Sequence, residues 1–257
     1  VEHNITEIQL LPIKNAATRV ADLLSGEIDL VTDAPVQDLN RISSSGDHKV
    51  ESTPQMRTIF LGMDQKADKL RTGNTGDNPF KKKEVRQALY QAIDIEAIKK
   101  KVMRGLSEPA GIITFPGVNG YTTDLDKRLP YDVDAAKKLL ADAGYPNGFD
   151  VELRCPNDRY VNDEAICTAV VGMFGKIGVN VNLFAQTKSK HFKELKDNQG
   201  DFYMLGWGVP TLDSHYVFHY LYESGASWNK VNFSNSEVDA AIRVMEGEVD
   251  LDKRNAA

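Results

Sequence analysis

Two histidines near the carboxyl end of the chain have the spacing of a metal-binding pair. His215 and His219 are four residues apart, so on a helix both imidazoles would lie on one face, with Asp213 and Glu223 beside them. A stable metal site needs a third ligand, which this spacing does not supply. The alternative is a helix whose tyrosines pack inward, and we therefore predict no metal site, with His215 and His219 as the only candidates.

A tryptophan between two glycines is the second group suited to binding. Gly206-Trp207-Gly208 follows a predicted strand, where Trp207 can present a large rigid face while the backbone passes close to a ligand. We predict that Trp207 stacks on the ligand and that Asp213 pairs with a cationic group of it. The alternative is a core tryptophan with a hydrogen-bonded N–H.

A turn-rich loop, residues 155–160, joins a predicted strand to a predicted helix. Strand ends and helix starts of this kind commonly face a cleft. The planar guanidinium of Arg159 suits a carboxylate, and Asn157 adds a polar group. We predict both as ligand-binding residues. The alternative for Arg159 is a surface ion pair with Asp158 or Asp163.

Cys155 and Cys167 are the two cysteines of the chain, and their separation matches neither a redox C-x-x-C pair nor a four-ligand zinc site. Cys155 ends a predicted strand, and Cys167 lies one to two turns into the next helix. Packing of that helix on its own strand could bring the two sulfurs within bonding reach. A disulfide and two buried free thiols both remain open.

Motifs that carry catalysis are missing from the sequence. It contains no G-x-S-x-G, no phosphate-binding G-x-x-x-x-G-K-[ST], no H-E-x-x-H and no G-x-G-x-x-G. We predict that the protein is not an enzyme and needs no cofactor. A cleft hydrolase using Asp213, His215 and Arg159 is the alternative.

Composition and charge restrict the partners. The 257 residues are 41% hydrophobic and 26% charged, which is ordinary for a globular protein with a substantial core. The net charge of -6 argues against a nucleic-acid partner, because phosphates require a basic surface. No stretch approaches the roughly 20 apolar residues of a membrane helix.

Strands and helices alternate along the predicted chain, which indicates an α/β fold. Strands are predicted at 5–13, 27–31, 48–53, 58–63, 150–155, 179–184 and 201–205, and helices at 15–24, 36–42, 85–93, 94–105 with Asp94 as its cap, 132–143, 162–177, 189–196 and 212–222. We assign 1–63 to part of a first lobe, 64–79 to a polar linker, 80–235 to a second lobe and 236–257 to a helical end segment. Two lobes with a hinge predict a ligand cleft between them.

Three segments carry a family resemblance. They are Val85-Arg86-Gln87-Ala88-Leu89-Tyr90-Gln91-Ala92-Ile93-Asp94, the capped helix from Asp132 to Gly144, and Gly206-Trp207. In residue identity, order and spacing they resemble the peptide/nickel family of solute-binding proteins (bacterial extracellular solute-binding protein family 5), which serve ABC importers. The resemblance implies a two-lobed, periplasmic-binding-protein-like architecture of type II (Venus flytrap), with mixed sheets and helices on both faces. Since members are about twice this length, we expect a chain truncated at both ends.

The resemblance also implies a function. It predicts an extracytoplasmic or periplasmic, monomeric protein that captures a short peptide or related small polar ligand by hinge closure and delivers it to an ABC permease in the membrane. Because nickel-handling relatives exist, a receptor for a metal or metal chelate is the alternative.

Particular residues match family positions. In some peptide-binding relatives an arginine in the loop similar to that of Arg159 holds the ligand carboxylate, and Arg57 resembles a position near the cleft. Peptide-binding relatives carry an aspartate three residues after the tryptophan, which pairs with the peptide amino terminus. Here that position is Pro210, so Asp213 is the available substitute and ordinary peptide recognition is in doubt.

Overall fold

The computed structural model describes residues 4–72 and 76–256. They divide into two compact units, Val1–Ser52 and Thr53–Ala257. The division falls after Ser52 rather than after residue 63, because the strand Arg57–Met63 pairs with a strand of the larger unit. Which unit belongs to which lobe stays a prediction. Among the described residues, no helix has the length and apolarity needed to cross a membrane.

The elements follow one another in a mixed order of helices and strands. They are α1 (Ala16–Ser25), α2 (Leu39–Ser43), β1 (Arg57–Met63), α3 (Lys83–Ala92), α4 (Ile95–Ala97), α5 (Val133–Asp142), β2 (Asp150–Pro156), α6 (Asp163–Gly175), β3 (Asn180–Gln186), α7 (Lys188–Lys196), β4 (Phe202–Gly208), α8 (His215–Val217), α9 (Ser236–Gly247) and α10 (Leu251–Ala256). A 3₁₀ turn, Pro79–Lys81, precedes α3, and π-helical turns continue α4 over Ile98–Val102 and α8 over Phe218–Tyr222.

The smaller unit has a modest helical core. The side chain of Asn15 accepts a hydrogen bond from the Thr18 amide at the start of α1, and the buried residues Val20, Leu23 and Ile42 pack together. The strands predicted at 5–13, 27–31 and 48–53 are wrong, because these residues form no strand. Alternation of apolar residues is not sufficient for a strand, since its backbone groups also require a neighbouring strand.

The larger unit is built on a four-stranded sheet with strand order β1-β4-β2-β3. Strands β2, β3 and β4 run parallel to one another, and β1 is antiparallel to β4. The β1–β4 register pairs Arg57 with Gly208 and Thr58 with Trp207. The start of β1 therefore lies beside the carboxyl ends of the parallel strands.

Local signals of the sequence place the helices beside this sheet correctly. The Asp132 carboxylate accepts the Ala135 amide at 2.9 Å and begins α5, and Asp94 caps the short helix α4 in the same way through the Ala97 amide. Helix α5 packs on α3 through side chains that are almost completely buried, which include Val85, Leu89 and Leu140. Gly144, with φ of 92°, follows the end of α5 as predicted.

The two faces of the sheet carry different layers. Alternation along β2 directs Val151, Leu153 and Cys155 toward α6, and all three are fully or almost fully buried. The register between β2 and β4 pairs Arg154 with Tyr203, so Met204 and Gly206 share the α6 face, whereas Leu205 and Trp207 share the opposite face. On that opposite face, Leu195 of α7 packs against Tyr203 and Leu205.

Cys155 and Cys167 meet where α6 packs on β2. Their Sγ atoms are in bonding contact, and both residues are completely buried. The sequence separation of the two cysteines is 12 residues. A disulfide here would link α6 directly to the strand that leads into the Arg159 loop.

We expect loss of this bridge to destabilise the protein. Closing a loop of this size contributes about 3 kcal/mol in the chain-entropy description. Replacing both cysteines by alanine should therefore lower the free energy of unfolding in urea by about that amount, beyond the cost of the smaller side chains. Reductant should destabilise the wild type and leave the double variant unchanged. Alkylation of two thiols in unreduced, denatured protein would contradict the bridge.

Candidate functional site

Two arginines lie at the carboxyl-terminal edge of the parallel strands. Arg57 begins β1 opposite Gly208, the last residue of β4, and Arg159 lies three residues beyond the end of β2. Both positions therefore lie on the edge where ligands commonly bind in open α/β sheets. We call Arg57, Arg159 and the tyrosine between them, Tyr160, the arginine edge.

Tyr160 organises the two guanidiniums of the arginine edge. Its ring centroid is 5.9 Å from the Cζ atom of Arg57 and 5.1 Å from that of Arg159, within the range of cation–π attraction. Neither guanidinium has a carboxylate or hydrogen-bond acceptor among residues 4–72 and 76–256, and Nε of Arg57 is buried without a partner. The ion pair of Arg159 with Asp158 or Asp163 that we considered does not form. Two positive groups thus lie near one tyrosine ring with their donors unused.

Asp163 holds the loop that presents Arg159 and Tyr160. One oxygen of its buried carboxylate accepts the backbone amides of both residues at 2.9 Å, and the other accepts the Glu164 amide at 3.0 Å. Burial raises the pKa of Asp163, although these three amides oppose the shift. The side chain of Asn157 is exposed, whereas its backbone amide donates a hydrogen bond to the Gln186 backbone carbonyl.

Gly206 provides the space in which Tyr160 packs. Its amide donates to the Tyr160 hydroxyl oxygen at 2.8 Å, and a Cβ at this position would lie 2.8 Å from the tyrosine Cε1 atom and 2.5 Å from Cδ1 of Ile59. Burial raises the pKa of Tyr160, whereas the Gly206 amide and the two arginines lower it by less. The side chain is therefore neutral at pH 7. Gly206 thus allows Tyr160 of the arginine edge to pack closely on β4.

Trp207 lies on the opposite face of β4, within an aromatic cluster. Its ring is 5.9 Å from the rings of Tyr216 and Tyr220 and 5.8 Å from that of Trp228. The indole N–H is buried and has no acceptor in the described chain, so the hydrogen-bonded core tryptophan that we considered is not what the structure contains. Strand alternation separates Trp207 from Arg57, whose cross-strand partner is Gly208.

A cavity of about 430 Å³ opens on this face of the sheet. Its walls include Phe60, Tyr203, Leu221 and Trp228. Neither arginine of the arginine edge lines it. The cavity is mainly apolar, and its two cationic side chains, Lys83 and Arg86 of α3, are separate from the arginine edge.

Asp213 already has a cationic partner. Both of its oxygens accept hydrogen bonds from the Arg254 guanidinium of α10, at 2.6 and 2.8 Å, and they also accept the Asn119 side-chain amide and the His215 backbone amide. The Arg254 hydrogen bonds, with smaller help from His215 and Asn119, lower the pKa of Asp213 to about 2. This carboxylate is therefore neutralised within the chain.

The Asp213–Arg254 pair predicts a specific dependence of stability on pH. The folded pKa of about 2 is below the unfolded value of roughly 3.9, so the pair stabilises the fold fully above pH 4 and loses its effect as the pH falls toward 2. We expect Asp213→Asn to lower the free energy of unfolding by on the order of 2 kcal/mol at pH 6. Denaturation in urea at pH 6, 4 and 2.5 should show the wild type and the variant converging. A difference independent of pH would contradict this role.

His215 and His219 lie together on α8 and its π-helical continuation. Their rings stack with centroids 5.5 Å apart, and a carboxylate from α9, that of Glu246, lies 3.5 Å from a nitrogen of each ring. Glu223 lies 2.8 Å from the same nitrogen of His219. The third ligand that the sequence spacing did not supply is thus present, on a different helix.

The structure brings together only part of the predicted set. Arg57 and Arg159 meet through Tyr160, whereas Trp207, Asp213 and the histidines belong to other environments. Sequence reasoning assigned no binding or supporting role to four residues that matter to these sites: Tyr160, Asp163, Glu246 and Arg254. Asp163 could have been recognised from its position at the start of α6, where a carboxylate satisfies free amides. Glu246 and Arg254 contact residues that are far from them in sequence, and a single sequence carries no signal for such contacts.

Known proteins share this arrangement of elements. A sequence profile of the bacterial extracellular solute-binding proteins, family 5 (middle part), matches residues 2–229. The heme-binding protein A of Haemophilus influenzae is 29% identical over 252 residues, which cover 94% of this chain and 43% of that protein. The glutathione-binding protein GsiB of Shigella flexneri is 23% identical over 238 residues, 89% of this chain and 44% of that protein.

A solved structure confirms the predicted fold class. The ABC transporter-associated periplasmic binding protein DppA from Helicobacter pylori, in complex with the peptide STSA, superposes with a TM-score of 0.83 at 22% identity, over 95% of this chain and 46% of the other. The chain thus has the α/β, periplasmic-binding-protein-like fold expected from its sequence. It spans less than half the length of these relatives. Because the family profile matches most of the 257 residues, the chain belongs to the bacterial extracellular solute-binding proteins of family 5.

Proposed function

We propose that this protein is the extracytoplasmic solute-binding component of an ABC importer, and that it captures a short peptide or a related small polar ligand with a free carboxylate. Membership of family 5 supports the transport role. The single observation that supports the ligand class is the arginine edge, where two guanidiniums flank one tyrosine without an acceptor in the described chain. No catalytic step is part of the proposal.

The arginine edge suits a carboxylate for electrostatic and geometric reasons. Each guanidinium offers a planar fork of donors that can grip two carboxylate oxygens. Two like charges held near one ring repel each other, and a bound anion would relieve that repulsion. The amides bound by Asp163 keep Arg159 and Tyr160 in place before a ligand arrives, which limits the entropy lost on binding.

The other predicted ligand residues have different roles in this proposal. Trp207 packs against the aromatic cluster and is only partly buried, whereas Asp213 is paired with Arg254 and is not free to bind a ligand amine. Recognition of a ligand amino terminus would then come from residues other than Asp213. Hinge closure over the ligand stays the mechanism that we expect, with ligand contacts favouring the closed state.

The ligand class can be tested with protein expressed from the complete gene. Mass spectrometry of small molecules that co-purify would give the first candidates, and a thermal-shift panel of dipeptides and tripeptides would follow. We expect the melting temperature to rise with peptides that have a free carboxyl terminus and to rise much less with their C-terminal amides. Recovered peptides should be unchanged, and cleavage would favour a hydrolase. Equal shifts for acids and amides would overturn carboxylate recognition.

A further inference from the structure

Four polar side chains at the contact of α8 and α9 form a compact group that the transport function does not use. The group, here called the histidine cluster, consists of His215, His219, Glu246 and Glu223. One donor atom each from His215, His219 and Glu246 can be chosen so that all three lie within 4.8 Å of one another. Stacking of the two rings, with an interplanar angle of 15°, holds both imidazoles in register.

The distances from Glu246 to the two histidines are close to those between metal ligands. Ligand atoms that sit 2.0–2.1 Å from a tetrahedral ion are about 3.4 Å from each other. The Glu246 Oε1 atom is 3.5 Å from Nε2 of His215 and 3.5 Å from Nδ1 of His219. An ion could therefore be bound by all three groups after small side-chain rotations.

Both histidine nitrogens are buried and directed at carboxylates. Nε2 of His215 and Nδ1 of His219 each lie 3.5 Å from Glu246, and Nδ1 of His219 also lies 2.8 Å from Glu223. Such a nitrogen can face a carboxylate as an N–H donor or, when unprotonated, with a cation held between the two groups. A bound cation would satisfy the nitrogens and the carboxylates at once.

We propose that the histidine cluster binds a divalent transition-metal ion of the zinc class, with His215, His219 and Glu246 as ligands and Glu223 beside the fourth position. Two imidazoles and a carboxylate suit Zn²⁺, whereas Mg²⁺ and Ca²⁺ prefer oxygen ligands throughout. Glu223 is the remaining carboxylate within reach, 2.8 Å from Nδ1 of His219. This proposal is independent of the ligand proposed for the arginine edge.

Metal binding at this place would connect the segment that contacts Trp207 to helix α9. The segment with the two histidines also carries Tyr216 and Tyr220, which contact the Trp207 ring, and Glu246 belongs to α9. An ion bridging them would fasten α9 to the π-helical turn, a conformation often found at functional sites. The ion would thus stabilise the aromatic cluster on the α7 face of the sheet.

The experiment uses metal-free protein, prepared by EDTA treatment and exchange, and Zn²⁺ as the probe. We expect calorimetry to show one Zn²⁺ per chain, and the melting temperature to rise by roughly 5–10 °C at 100 times Kd, while Mg²⁺ has no effect. Replacement by Co²⁺ should give the intense visible absorption of a tetrahedral site. His215→Ala and His219→Ala should each weaken binding on the order of 100-fold, and Glu246→Gln somewhat less.

His48→Ala is the matched control, because His48 contacts Ser45 in the smaller unit, outside the cluster. It should bind Zn²⁺ as the wild type does. Absence of a Zn²⁺ response in the wild type, or an equal response in wild type and in the His215→Ala, His219→Ala double variant, would overturn the proposal. Circular dichroism of each metal-free variant separates loss of the site from loss of the fold. Peptide binding through Arg159 should persist in these variants.

Discussion

Arg159→Ala, made in protein from the complete gene, is expected to weaken binding of the best carboxylate ligand from the thermal-shift panel by on the order of 100-fold. Removing one charged partner from a hydrogen-bonded ion pair at a binding site costs about 2–5 kcal/mol, and each 1.4 kcal/mol is a factor of ten in Kd. The guanidinium of Arg159 has no ion pair in the described chain, so its loss leaves no carboxylate of the protein unpaired. Isothermal titration calorimetry measures the change directly.

Two further variants make this test specific. Arg159→Lys keeps the charge but removes the planar fork. We therefore expect its affinity for the ligand to lie between the affinities of the wild type and of Arg159→Ala. Arg128 is a matched control, because its guanidinium also lies over a tyrosine ring, that of Tyr90, at 4.4 Å, but outside the arginine edge. Arg128→Ala should bind ligand normally. Unchanged affinity in Arg159→Ala, with unchanged stability, would contradict the proposed role of Arg159.

Gly148→Ala is expected to destabilise the protein by roughly 2–5 kcal/mol. A Cβ on Gly148 would lie only 1.9 Å from the carbonyl oxygen of Gly178, so the two backbone segments that lead into β2 and β3 would have to separate. Overpacking of this kind costs about 1–3 kcal/mol. The φ angle of 72° adds about 1–2 kcal/mol, because alanine is unfavourable in the left-handed region. Urea denaturation monitored by circular dichroism measures the sum.

Substitutions at two other glycines distinguish the effect of overpacking from that of the positive φ angle. Gly144 also has a positive φ, 92°, but its nearest neighbour would be the Lys82 Nζ atom at 3.7 Å, so Gly144→Ala tests the backbone conformation alone and should cost about 1 kcal/mol. Gly172 lies inside α6 with open space around it, and Gly172→Ala should stabilise by about 0.4–1 kcal/mol. If Gly148→Ala cost no more than Gly144→Ala, the close approach to Gly178 would not be a determinant of stability.

Features that depend on residues close together in the sequence were predicted more accurately than features that depend on distant residues. The cap at Asp132 and the strands near β2, β3 and β4 were predicted correctly, because caps and apolar alternation act over a few residues. The strands predicted at 5–13 and 48–53 were wrong, because a strand also depends on a partner whose position the local pattern does not contain. Family membership was predicted from three segments and is confirmed.

The candidate site depended on tertiary structure much more strongly. Arg57 and Arg159 are distant in sequence, and only the antiparallel pairing of β1 with β4 places them around one tyrosine. The same sheet places Trp207 on the opposite face, because neighbouring residues of a strand point to opposite sides. The charge of Asp213, which looked available in the sequence, is neutralised by Arg254, 41 residues later.

Composition and local spacing were enough to predict the family, the α/β class, the helix caps and the residue types available for binding. Which charges remain free depended on the complete fold. Whether a guanidinium or a carboxylate can meet a ligand depends on which partner the fold brings within about 3 Å, and that partner can come from any distance along the chain. For this reason Arg57 and Arg159 remain available, Asp213 does not, and His215 and His219 acquire Glu246.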